Sequence, residues 1–132
     1  MNSTSINMVI FGHFLIGFYF AFFGIWNIYH WSRIIGIMAQ KGIPHPYLLL
    51  PIGIGWQTIA GGMIMFGMFP KLAALSLVPF TLVAIVIFHP FWNFKGEHKL
   101  LDFTIFITNL TVVIGSLFLI MAPLNQLRDL LM

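Results

Sequence analysis

Apolar residues gather into four long runs, at about 8–30, 47–69, 72–89 and 102–122, and nearly all charge falls between them. Each run has roughly the ~20 residues that a helix needs to cross the hydrocarbon of a bilayer. Polar positions inside the runs recur at helical rather than alternating spacing. The pattern predicts an all-α fold, a four-helix transmembrane bundle. The first run follows an uncharged polar start at 1–7 and is too long for the core of a cleaved signal, so it is expected to stay as a span. Between spans one and two, the stretch 32–41 sets Ile34, Ile35 and Met38 on one side and Arg33, Gln40 and Lys41 elsewhere. That is the signature of a short helix lying in the interface. Gly42-Ile43-Pro44-His45-Pro46 ends it, because two prolines so close together favour an extended turn.

The remaining connections read as a tight turn at Phe69-Pro70-Lys71 and a longer polar loop at 91–101. An amphipathic tail is expected over 125–132, after Pro123 stops the fourth span. No repeat or composition break divides the chain, so residues 1–132 are expected to form one domain. His13, Gly17, Gly24, Asn27 and Trp31 share one face of the first span, and the second span carries Gly53, Gly55, Gly61, Gly62 and Gly67. Glycine in such numbers predicts close helix approach. In the fourth span Asp102, Asn109 and Ser116 recur every seven residues, an expected inward polar stripe.

Composition agrees with a membrane and narrows the partners. Only 7% of residues are charged, against about a quarter in soluble domains, too few to cover an aqueous surface. The bilayer is therefore the first partner. The formal charge of +3 comes from basic residues near the ends of the runs, with no patch that suits nucleic acid. An even number of spans puts both termini on one side. The loops opposite them hold Arg33, Lys41, Lys95 and Lys99, against Lys71 and Arg128 on the terminal side. By the positive-inside rule the termini are expected in the periplasm of a bacterial inner membrane. The chain has no cysteine, which excludes disulfides, thiolate metal sites and thiol–disulfide chemistry on its own residues.

Threading the spans up and down brings His30, His45, His89, His98, Glu97 and Asp102 to one membrane face. At 1.5 Å per residue, Asn27 lies about a turn inside that face, Asn109 about two turns and Gln57 roughly mid-membrane. The polar groups form a funnel toward the bundle centre, accompanied by Trp26, Trp56 and Trp92. His89 is the candidate for chemistry, since imidazole is the side chain that changes charge near neutral pH. Asn27, Gln57, Asn109 and the three tryptophans are the candidate ligand-binding set. Structural roles compete at each position: an interfacial belt for Trp92, interhelical bonding for the asparagines, helix capping for His89. No metal site is expected, for no helix carries a His-x-x-x-His or Glu-x-x-His pair. Haem is disfavoured, because His13 and His89 lie at opposite faces, which leaves His30 with His89 as the axial pair to consider.

These residues resemble a known family. Gly24-Ile25-Trp26-Asn27, Lys41-Gly42-Ile43-Pro44 and Gln57-Thr58-Ile59-Ala60-Gly61-Gly62 are similar, in order and spacing, to the DoxX family of small four-helix membrane proteins. Phe88-His89-Pro90-Phe91-Trp92, then Thr108-Asn109-Leu110 and Gly115, look like its histidine–proline–aromatic branch. Two departures stand out. Family members often carry lysine at the position of Asn27 and glutamate at that of Gln57, and here both are amides. The swap keeps hydrogen bonding without burying ions. The resemblance implies a place in membrane redox chemistry, since some members are subunits of thiosulfate:quinone oxidoreductases and others belong to complexes that respond to oxidative stress.

The leading expectation is an accessory or quinone-interacting subunit, with a membrane redox partner or a homo-oligomer completing it. Whether the chain is itself an enzyme stays open. The competing expectation is a non-enzymatic protein that binds, transports or helps assemble a lipid, a small apolar ligand or a partner complex. Quinone is the cofactor class that the funnel suits, because it needs an apolar slot and one or two hydrogen-bond donors.

Overall fold

A computed structural model describes residues 2–93 and 95–122, and the amphipathic tail expected over 125–132 lies outside them. Four helical stretches long and apolar enough to cross a membrane make up most of it. The chain runs through α1 (Ser3–Tyr29), α2 (Trp31–Gln40), α3 (Pro46–Met65) and α4 (Pro70–Phe88), then a 3-10 turn at Phe91–Asn93. The fourth span is made of α5 (Glu97–Thr108), a π-helical turn (Asn109–Val113) and α6 (Ile114–Met121).

Local chemistry sets the helix ends. The α1 helix starts five residues before the apolar run because the Asn2 side-chain oxygen accepts from the Ser5 N–H at 2.8 Å. Both α3 and α4 open on a proline, whose missing N–H has no partner to lose in a first turn. Each proline follows a residue in the left-handed region, His45 at φ 51° and Phe69 at φ 46°. Proline keeps the residue before it out of the right-handed helical region, which ends any helix there, while the left-handed backbone at these two positions makes the sharp corners. Helix α4 stops at His89, ahead of Pro90. The loop expected over 91–101 is shorter than it looked, since α5 already begins at Glu97, an acidic residue suited to a helix start.

Antiparallel α1 and α3 make the closest contact in the bundle. A Cβ at Gly17 would sit 2.5 Å from the Gly61 carbonyl oxygen, and one at Gly61 would sit 2.7 Å from the Ala21 nitrogen. Gly24 faces Thr58 in the same way. Only glycine allows the two backbones this near, and the approach gains dispersion contacts that lipid cannot supply as well. The expected glycine face of the first span is therefore the α3-facing one.

Apolar packing divides into two clusters. One joins all four spans through Phe20, Ile64, Leu77, Leu117 and Ile120 with Ala60, Ala73 and Ala74. The other seats the interfacial helix, with Ile35 and Met38 of α2 packed on Leu50 and Ile54 of α3. Helix α2 thus exists as expected, and it roofs the loop-rich end of α3 and α4. Between the clusters along α3 lies Gln57, one turn from Ile54 and one from Ala60.

The fourth span departs from its period-seven reading. A π turn holds one residue more than an α turn and rotates everything after it. Asn109 opens that turn, and Ser116 beyond it, partly buried like Asp102 and Asn109, donates its hydroxyl to the Val112 carbonyl at 2.7 Å. Asn109 itself accepts from the Tyr19 hydroxyl at 3.3 Å and donates to the Ile105 carbonyl at 2.8 Å. The side chain is bridging glue between α1 and the fourth span.

Candidate functional site

At the loop-rich end, proline stops α4 and leaves His89 as its cap, with a ring that turns toward α5. The imidazole Nδ1 lies 2.9 Å from Asp102 Oδ1, in the second turn of α5. Asp102 is mostly buried, with 16% of its side chain exposed, while His89 keeps 30%. A carboxylate can only accept, so Nδ1 carries the proton of this bond. The opposite nitrogen, Nε2, is then left to accept a proton or, once charged, to give one.

Lys41 closes the other side of the same helix end. Its ammonium donates to the carbonyls of Phe88 at 2.7 Å and Ile87 at 3.3 Å and stands 5.9 Å above the Phe88 ring. A cation there complements the negative end of the α4 dipole. Burial pushes the Lys41 pKa below the ordinary lysine value, and the Asp102 carboxylate partly opposes that shift. Lysine, carboxylate and imidazole thus form one charged group where α2, α4 and α5 meet.

Beside it opens a groove of about 310 Å³. Lys41 and Ile43 form one wall, Val86 and Ile87 of the last α4 turns another, and Pro90, Trp92 and Asn93 the outer rim. Of the residues expected to bind a ligand, only Trp92 lines it, packed edge-on against Phe91 and Phe106.

The rest of the expected set is dispersed. Gln57 is buried at 9% exposure, and its amide has no hydrogen bond among the described residues. Asn27 is half-buried, and no bond joins it to Gln57. Trp26 and Trp56 lie nearly half exposed on the outside of the bundle. Trp26 stacks on His30 with centroids 4.3 Å apart, and the His30 ring bonds the Trp26 carbonyl at 2.9 Å. Trp56 donates to the Ser76 hydroxyl at 3.2 Å. Among the described residues no three His, Asp or Glu side chains are placed to hold a metal ion.

Sequence reasoning missed three participants. Thr58 and Thr81 bury hydroxyl oxygens that have no partner among the described residues, at the level in α3 and α4 where the two apolar clusters part. Threonine in a membrane helix ordinarily bonds back to its own backbone, so nothing in the sequence marks these two. Lys41 was only one of several boundary charges. Asp102 had been placed at the correct face, and a lone acid at a span end needs a partner, a signal that pointed toward pairing without naming His89.

The family model for DoxX matches residues 8–90, while no curated protein and no solved structure matches the chain. The matched part takes in α1 to α4 and ends at Pro90, next to the paired histidine. This four-span membrane protein belongs to the DoxX family.

Proposed function

We propose that this DoxX-family protein serves membrane redox chemistry in a bacterial inner membrane as an accessory subunit that takes a quinone at its loop-rich face. The observation that carries this reading is the 2.9 Å bond from His89 to Asp102. Asp102 fixes the ring, so His89 Nε2 can pass a proton to a carbonyl oxygen of the quinone as it is reduced and regain one from water through its exposed edge. Reduction of a quinone to the quinol takes up two electrons and two protons. The electrons come from a redox partner, since the chain has no cysteine to supply them.

The interior suits such a molecule in one further respect. Gln57 and Thr81 are buried polar groups without partners among the described residues, and an apolar ring with carbonyl oxygens is a complement for unpaired donors. In the same reading the loops around Lys41 and Lys99 face the cytoplasm and the termini face the periplasm.

Quenching of tryptophan fluorescence by a short-tailed quinone, titrated into wild type and His89→Ala, tests the proposal. Loss of a hydrogen bond to the ligand weakens binding by about tenfold. Equal affinity in both proteins removes His89 from the site. No binding in either returns the buried polar groups to a structural role and favours the non-enzymatic reading.

A further inference from the structure

The groove beside Lys41 is amphiphilic along its length. Its apolar lining is Val86 and Ile87, from the last turns of a membrane span, with Ile43. Its polar lining is Lys41, Trp92 and Asn93. Neither the Trp92 N–H nor the Asn93 amide makes a hydrogen bond among the described residues. Two donors and one cation therefore share a groove with three aliphatic side chains at the end of a membrane span.

We propose that this groove binds one anionic phospholipid, with its headgroup phosphate against Lys41, Trp92 and Asn93 and an acyl chain along Val86 and Ile87. The lining contains a lysine and no carboxylate, so the complementary headgroup is net negative. The wider surface agrees: Arg33, Lys41, Lys95 and Lys99 share this face with Glu97 and Asp102, four positive charges against two negative. The indole of Trp92, half exposed, stands where amphipathic rings settle in a bilayer. An occupied groove would pack lipid against the backbone whose last carbonyls Lys41 already holds, and so brace the end of α4 that positions His89. The site shares only Trp92 with the candidate quinone contacts and does not involve His89, so it stands whether or not a quinone binds.

The test is native mass spectrometry of the full chain from micelles holding equal amounts of phosphatidylglycerol and phosphatidylcholine. One headgroup contact of this kind is expected to favour phosphatidylglycerol about fivefold. Val86→Trp, which fills the trough at an exposed position and leaves Lys41 in place, abolishes the preference. Lys41→Gln also loses it, and Lys99→Gln, on the same face outside the groove, keeps it. Equal retention of the two lipids by wild type overturns the proposal, as does an unchanged preference in Val86→Trp. If Lys41→Gln fails to fold, the Val86→Trp result decides alone.

Discussion

His89 Nδ1 and Asp102 Oδ1 stand 2.9 Å apart, thirteen residues distant in the chain and on opposite sides of a turn that leaves and re-enters the membrane. The bond fastens the end of α4 to the start of α5, and it also settles which imidazole nitrogen faces outward. The pair is part-exposed, so its strength lies between that of a surface ion pair and a buried one. A double-mutant cycle of His89→Gln and Asp102→Asn, read by thermal melting in mild detergent, is expected to give a coupling of about 1 kcal/mol. Additive effects would mean that the two side chains do not interact in solution.

The glycines give a sharper contrast. A methyl group at Gly17 or Gly61 meets backbone of the neighbouring helix, which cannot step aside as a side chain can. Gly17→Ala and Gly61→Ala should each destabilise by about 1–3 kcal/mol. Gly62 has nothing within 4 Å of its would-be Cβ, so Gly62→Ala should be neutral or slightly stabilising. Melting temperatures of the three variants decide this, and equal losses at all three positions would contradict the packing described.

Lys41 makes a prediction about alkaline pH. Burial lowers its pKa in the folded protein, so the folded chain binds that proton less tightly than the unfolded chain does. Lysine's contribution to stability therefore rises with pH through the window that ends near its ordinary value of 10.5. The Lys41→Met protein lacks this part of the rise. The melting temperature of wild type relative to Lys41→Met should then move in favour of wild type as pH rises toward the ordinary lysine value. A constant difference across that range would show that Lys41 titrates as a free lysine.

The loop charges make orientation a prediction of its own. A reporter active only in the cytoplasm should work when inserted between α2 and α3, near Gly42, and fail when fused ahead of α1. The reverse pattern would invert the topology and place His89 on the periplasmic side.

The sequence alone determined the class and the plan of this protein. Run length and the scarcity of charge fixed four spans, because a bilayer accepts only helices of that length when backbone groups must bond within their own segment. The Ile34, Ile35 and Met38 side of 32–41 disclosed the interfacial helix, since amphipathic spacing is a local property. Prolines at 46, 70 and 90 marked helix starts and a stop, being backbone effects that act on immediate neighbours. The family resemblance, carried by short ordered motifs, agreed with the matched region.

Tertiary structure decided which polar groups meet. The period of seven in the fourth span predicted one stripe, but nothing in the spacing marked the π turn at Asn109, where the side chain meets Tyr19 of α1. Depth counting placed Trp26 and Trp56 near the funnel, yet depth carries no information on rotation about the helix axis, and both rings face outward. Asp102 found His89 because α5 starts a turn earlier than the apolar pattern suggests and so aims its second turn back at α4. Lys41 reached across 47 residues of chain to the Phe88 carbonyl, a contact set by how α2 folds over the bundle. Lengths, boundaries and faces are written into one stretch of chain at a time, whereas the pairing of side chains from different spans depends on the angles at which those helices pack.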